Sequence, residues 1–107
     1  MTVVTVFRSR LRHGVLESYL DVADEMDRAA EQMDGFMDRK VYTAPDGERV
    51  SIVRFRDHAS QEAWAKHAEH RVAQERGRSE FYAWYDIIVA DETVHHEFTW
   101  SGDGETA

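Results

Sequence analysis

The chain contains no cysteine and only one proline, and it has no long apolar run. Without cysteine, disulfides, thiol nucleophiles and zinc–thiolate sites are all excluded. A membrane-spanning helix needs about 18 or more consecutive apolar residues, and none occur. No charged-then-apolar leader opens the sequence either, so we expect neither a membrane protein nor a secreted one. The expected location is the cytoplasm.

Basic residues are in the minority, with 13 Lys and Arg against 21 Asp and Glu and a formal net charge of −8. A phosphate backbone requires a basic surface, so the balance argues against nucleic acid as a partner and disfavours anionic membranes. The 107 residues, of which 42% are hydrophobic, suit one globular domain. A chain of this size can bury a core of its own.

The first half of the sequence predicts a strand, a helix and a hairpin. A β-branched run over residues 2–9 predicts a strand that is apolar on both faces. Apolar residues at alternating spacings of four and three predict an amphipathic helix over residues 15–33, with Gly35 just beyond it. Two alternating runs, 36–43 and 49–56, flank a Pro-Asp-Gly turn and predict a β-hairpin. In its second strand, Ser51, Val53 and Phe55 should share one side.

The second half predicts a helix and a strand. Ser60 is the expected N-cap of a helix that runs to about residue 70 or 74 and is interrupted near Gly77. A strong strand follows over residues 84–90. Tyr82, Trp84 and Tyr85 alternate into this strand, so Tyr82 and Trp84 should share one face and Tyr85 the other. We therefore expect a domain over residues 1–91, with an extended arm and an acidic tail over residues 92–107.

The order β-α-β-β-α-β predicts a ferredoxin-like α+β fold with an antiparallel sheet. Its two helices cover one face of the sheet and leave the other face apolar, which is unusual in a monomer. Face-to-face packing of two copies would cover it, so we expect a homodimer in the form of a dimeric α/β barrel. The alternative cover is the C-terminal arm, folded back with Phe98 and Trp100.

Several segments resemble a known family. They are Met33-Asp34-Gly35-Phe36, Tyr42-Thr43-Ala44-Pro45-Asp46-Gly47-Glu48, Trp64-Ala65-Lys66-His67-Ala68-Glu69-His70, Gln74-Glu75-Arg76-Gly77-Arg78 and Phe81-Tyr82. Together they resemble the antibiotic biosynthesis monooxygenase superfamily over about residues 3–90. The resemblance implies a dimeric α+β barrel. The resemblance says less about the reaction, because members of the superfamily catalyse several different reactions.

Three of those chemistries can be compared with this sequence. The cofactor-independent oxygenases of polyketide anthrones use an Asn, a Trp and a Tyr, whose positions fall at Arg54, His58 and Trp64. The haem-degrading members are similar in the tryptophan at Trp64, with Ser9 near the position of their first-strand Asn. Small polyketide cyclases of the same barrel carry a His-x-x-His element that matches residues 67–70.

The candidate catalytic residues are His70 and His67, because imidazole titrates near neutral pH and can act as a base. No third ligand accompanies them in a His-Glu-x-x-His pattern, so we expect no metal site. Our hypothesis is a cofactor-independent monooxygenase in which His70 deprotonates a phenolic or polyketide-like substrate that then reacts with dioxygen directly. A cyclase, a haem-binding or haem-degrading protein and a non-catalytic ligand-binding module remain alternatives.

The candidate substrate-binding residues are aromatic or basic side chains that suit a flat phenolic ligand and its anion. They are Trp64, Arg54, Arg71, Tyr82 and Trp84. Each also has a purely structural interpretation: an aromatic on a helix face is usually core packing, and a charge in a loop is usually solvated. Arg54 stands out because a charge inside an otherwise apolar strand is costly unless it is paired or faces a wet cavity.

Overall fold

A computed structural model describes residues 1–101 of the chain, apart from the side chains of residues 68 and 69. Its elements are β1 (Val3–Leu11), α1 (Leu16–Glu31), β2 (Phe36–Thr43), β3 (Arg49–Phe55), α2 (His58–Lys66), α3 (Ala68–Arg76), a π-helical turn (Gly77–Phe81) and β4 (Tyr82–Asp91). The four strands form one antiparallel sheet in the order β2-β3-β1-β4, and the helices pack on one of its faces. The predicted ferredoxin-like α+β fold is confirmed. The sheet of the single chain is open, and residues 102–107 of the expected acidic tail lie outside the described range.

The connection from α1 to β2 depends on the glycine predicted beyond the helix. Gly35 has a φ of +86°, a left-handed conformation that other residues adopt at a cost. It also lies against α2, where an added Cβ would sit 2.1 Å from the Ser60 hydroxyl oxygen. The glycine therefore allows both the reversal of the chain after α1 and the close approach of this loop to α2.

The predicted hairpin forms as expected. The Ala44 amide donates to the Glu48 carbonyl, and Gly47, with a φ of +92°, completes the turn. From this turn β3 alternates, so that Ser51, Val53 and Phe55 lie on one side, as predicted, and that side faces the helices. The hairpin thus fixes which β3 side chains reach the space between sheet and helices.

The second helical region differs from the prediction at both of its ends. Asp57, rather than Ser60, is the N-cap: its carboxylate accepts a 2.8 Å hydrogen bond from the Ser60 amide. The helix then breaks at His67, whose extended backbone (φ −61°, ψ 136°) separates α2 from α3. At Gly77, where we expected the interruption, the chain instead continues from α3 into the π-helical turn.

A β-bulge corrects the predicted orientation of the β4 aromatics. Leu11 pairs with Tyr82 but Arg10 pairs with Trp84, so Ala83 is an extra residue on β4. The extra residue reverses the parity at this point. Tyr82 therefore lies on the helix side of the sheet with Tyr85, and not beside Trp84 as simple alternation predicted.

The face of the sheet without helices, here called the open face, is partly apolar. Its exposed side chains include Trp84, which is 41% exposed, and Ile88, which is 50% exposed. The arm does not cover this face with its aromatics, because Phe98 and Trp100 are each 78% exposed. The alternative cover considered from the sequence is therefore wrong for the single chain. No helix in residues 1–101 has the length and apolar character needed to cross a membrane.

Candidate functional site

A cavity of about 390 Å³ lies between the helices and the sheet. Its floor follows the strand register, which aligns alternate side chains of β1, β3 and β4 in rows. One row is Arg49, Ser9 and Tyr85, and the next is Ser51, Phe7 and Ile87. A cavity of this size is at the small end of the range for organic ligands and suits a flat polycyclic molecule.

One wall of the cavity is a cluster of aromatic rings. Tyr82 contacts Phe7, Tyr19 and Tyr85 with ring centroids 5.4, 5.7 and 5.5 Å apart. The Tyr82 hydroxyl donates to the Tyr19 hydroxyl over 3.4 Å. Burial raises the pKa of the Tyr82 phenol, so this hydroxyl remains protonated and acts as a hydrogen-bond donor. The wall combines flat apolar surfaces with polar groups at its edge.

Another part of the cavity lining carries Trp64 from α2 and His70 from α3. The break at His67 brings the two rings together, with centroids 4.5 Å apart. The Nε2 atom of His70 lies 2.9 Å from the Gln74 side-chain nitrogen. Since an amide nitrogen only donates, this contact places the proton of the neutral ring on Nδ1. Burial, with a smaller effect of His67, lowers the pKa of His70 to about 4, so the imidazole is neutral at physiological pH.

Charged side chains also reach this cavity from α1 and the strands. Arg39 of β2 contacts Asp27 of α1 at 2.5 Å. Burial raises the pKa of Asp27, although Arg39 acts in the opposite direction. The Asp27 carboxylate is thus held at the cavity wall beside Arg39.

The predicted site residues are divided between several parts of the fold. Trp64, His70 and Tyr82 line the cavity together. His67 lies on a second, more open groove between α1 and α3, where its Nδ1 atom is buried and has no hydrogen-bond partner among residues 1–101. Arg71 is exposed on α3 and does not line the cavity.

The remaining two predicted residues lie on the open face. Arg54 donates to Asp38 over 2.7 Å and to Glu92 over 3.1 Å, and these carboxylates raise the pKa of its guanidinium. Trp84 packs with its ring centroid 5.3 Å from the guanidinium carbon of Arg8. The structure therefore does not bring Arg54 or Trp84 to the cavity that holds His70.

The sequence reasoning missed several polar and charged cavity residues. They include Tyr19, Asp27, Arg39 and Arg49. The sequence does contain an indication for Arg49. It occupies the same alternating positions of β3 as Ser51, Val53 and Phe55, so its side chain lies on the same face. Within residues 1–101 we find no group of three His, Asp or Glu side chains that is placed to hold a metal ion.

Comparisons with known proteins agree with this architecture. Residues 2–76 match the family described as antibiotic biosynthesis monooxygenase. No curated protein matches the sequence. Among solved structures, Rv0793 from Mycobacterium tuberculosis has a TM-score of 0.80 and 15% identity, with 91% of this chain and 100% of that chain covered.

An oxygenase is also among the similar structures. A mutant of SnoaB, a cofactor-independent oxygenase from Streptomyces nogalater, has a TM-score of 0.76 and 14% identity, with 88% of this chain and 95% of that chain covered. Such low identities show the shared fold and nothing finer. The family match, in contrast, covers most of the sequence and includes the helices that carry Trp64 and His70. The chain belongs to the antibiotic biosynthesis monooxygenase family.

Proposed function

We propose that this chain is a cofactor-independent monooxygenase that oxidises an activated phenolic or polyketide-type small molecule bound in the helix-side cavity. The observation that carries the proposal is the neutral His70 imidazole, which lies against Trp64 in a cavity walled by aromatic rings. Family membership supports the reaction class. The similarity to SnoaB, a cofactor-independent oxygenase, supports a reaction without a cofactor.

In the proposed first step, His70 removes a proton from the substrate. Its Nε2 lone pair accepts from Gln74, so a substrate hydroxyl would take the place of that amide. Gln74 would then be free to donate to the newly formed anionic oxygen. The low pKa of His70 opposes protonation of the ring, but an adjacent substrate anion would favour the imidazolium and raise that pKa again.

The proposed second step uses dioxygen as the only oxidant. The delocalised anion transfers one electron to dioxygen, and the two radicals combine to form a carbon–oxygen bond. Protonation gives a hydroperoxide, which loses water and leaves a carbonyl. Overall, one CH₂ group and one O₂ become one C=O group and one H₂O. The aromatic walls would hold the flat carbanion and exclude bulk water from it.

The test is oxygen uptake with dithranol, a dihydroxyanthrone, after subtraction of its spontaneous oxidation. We expect His70→Gln to lower the enzymatic rate by roughly 100- to 10,000-fold, the usual contribution of a general base. His13→Gln is the matched control, because His13 is exposed and outside the cavity. Full activity of His70→Gln would remove this residue from the mechanism. Binding of dithranol by the wild type without oxygen uptake would contradict the monooxygenase and favour a non-catalytic ligand-binding module.

We also propose that the active form is a homodimer joined through the open face. The apolar residues of this face, including Val6, Ile52 and Ile88, form a strip across β1, β3 and β4. Charged side chains such as Arg8 and Arg54 flank the strip and are already paired within the chain. An apolar centre with a polar rim is the usual anatomy of an interface. Light scattering at micromolar concentration tests this, and a stable monomer would contradict it.

A further inference from the structure

Arg49 is a cavity arginine whose charge is not neutralised by any described carboxylate. It is the first residue of β3, pairs across the sheet with Ser9, and lies with its guanidinium carbon 5.4 Å from the ring centroid of Tyr19. Its Nε atom is buried and makes no hydrogen bond. Among the side chains that the structure describes, no carboxylate oxygen lies within 4.0 Å of its guanidinium nitrogens. Arg39, on the same side of the sheet, has such a partner in Asp27.

A buried charged donor without an acceptor is costly, so in most proteins such a group is paired. Arginine stays charged in proteins, so it cannot escape this cost by losing its proton. An acceptor from outside the described residues would therefore satisfy this donor. The cavity itself is the direct route for it, because Arg49 lines the cavity wall.

The surroundings of Arg49 favour an anionic acceptor. Three arginines line the cavity (Arg39, Arg49 and Arg78) against one carboxylate, that of Asp27, although the chain as a whole has a net charge of −8. The Ser9 side chain beside Arg49 is nearly inaccessible, at 1% exposure, and the next residue of the same face is Ser51, at 9%. Hydroxyl donors next to a guanidinium suit a group with two acceptor oxygens.

We propose that Arg49, with Ser9 and Ser51, binds a carboxylate on the aromatic ligand of this cavity. The inference rests on the proposed function for the location of the substrate, and it adds the substrate class, an aromatic carboxylic acid. A guanidinium presents a planar fork of N–H donors that matches the two oxygens of a carboxylate. The rings of the ligand would lie among Tyr19, Tyr82 and Tyr85.

Isothermal titration calorimetry with a matched ligand pair tests the inference. The probes are anthracene-2-carboxylic acid and its neutral carboxamide, which has nearly the same shape. We expect the wild type to prefer the acid, and Arg49→Met to weaken acid binding by roughly 10- to 100-fold, as loss of a charged hydrogen bond implies. Binding of the amide should change little, and Arg49→Lys should restore part of the preference. Arg56→Met is the control, because Arg56 is exposed just beyond the opposite end of β3 and pairs with Asp34.

The acid-to-amide affinity ratio reports the anion site independently of any effect on folding. An unchanged ratio in Arg49→Met would overturn the inference and indicate that solvent satisfies this arginine. If neither compound binds the wild type, both the carboxylate site and the cavity as the substrate site are wrong. An acid preference that depends on Arg49, together with no oxygen uptake by the wild type, would contradict the monooxygenase and leave the anion site in place.

Discussion

Replacing Gly77 with Ala should distort the aromatic wall of the cavity. The backbone of Gly77 is helical (φ −55°, ψ −51°), so alanine fits its conformation without strain. The space beside it does not accept a methyl group: an added Cβ would lie 2.6 Å from Cε2 and 2.9 Å from Cδ2 of Tyr82. Tyr82 cannot retreat freely, since its ring already contacts Phe7, Tyr19 and Tyr85.

Two opposing effects set the size of the change in stability. Alanine stabilises a helical position by up to about 1 kcal/mol over glycine. Forcing an extra methyl into packed side chains costs about 1–3 kcal/mol. We therefore expect Gly77→Ala to lower the free energy of unfolding by on the order of 1 kcal/mol, which corresponds to a fall in Tm of about 4–8 °C for a domain of this size.

A double-mutant cycle separates the two effects. In a Tyr82→Val background the ring atoms that clash are gone, so Gly77→Ala should become neutral or stabilising by up to about 1 kcal/mol. Urea unfolding of all four proteins at one protomer concentration measures the cycle. An equal loss of stability in both backgrounds would refute the steric explanation, because the contact with the Tyr82 ring would then play no part.

Three further predictions concern other parts of the molecule. The lowered pKa of His70, about 4, means that the folded chain binds this proton less readily than the unfolded chain, so stability should fall as the pH drops from about 6.5 to 4. Because His70 is partly exposed, we expect this loss in the free energy of unfolding to be on the order of 1–2 kcal/mol. The loss should disappear in His70→Gln when urea unfolding is compared at about pH 7.5 and 4.5. Asp57→Ala removes the N-cap of α2 and should lower the free energy of unfolding by about 0.5–2 kcal/mol, as measured by thermal unfolding. Asp57→Asn keeps an acceptor for the Ser60 amide and should retain most of the stability. Equal losses in both variants would show that the cap bond is unimportant. Ile88→Asp places a charge on the open face and should yield a folded monomer by light scattering, while an unchanged dimer would place the interface elsewhere.

Much of the fold could be predicted from the sequence because local signals and tertiary structure agree there. The spacing of apolar residues in α1 and the Pro-Asp-Gly turn each specify one local structure. The alternation after that turn also predicted correctly that Ser51, Val53 and Phe55 share a face. The apolar open face follows from the same patterns, since β1 is apolar at both parities.

The candidate site was harder to predict because its geometry depends on two irregularities without a clear local signal. The break at His67 occurs in a stretch without proline or glycine, so nothing in the local composition indicates it. Nothing in the local sequence indicates the bulge at Ala83 either, yet this bulge turns Tyr82 toward the cavity and leaves Trp84 outside. Gly77 did carry a signal, but its role is to make room for the Tyr82 ring rather than to end a helix.

The strand arginines show how a structure separates a charge that holds the fold from one that is available to a ligand. From the sequence, Arg54 was the conspicuous charge in an apolar strand, but Asp38 and Glu92 neutralise it on the open face. Arg39 reaches the cavity and is neutralised there by Asp27. Arg49 attracted no attention in the sequence because it opens its strand next to a polar turn. Among these three, it is Arg49 that lacks an acceptor within residues 1–101, so an acid that enters the cavity would gain most of its electrostatic stabilisation at this end of β3.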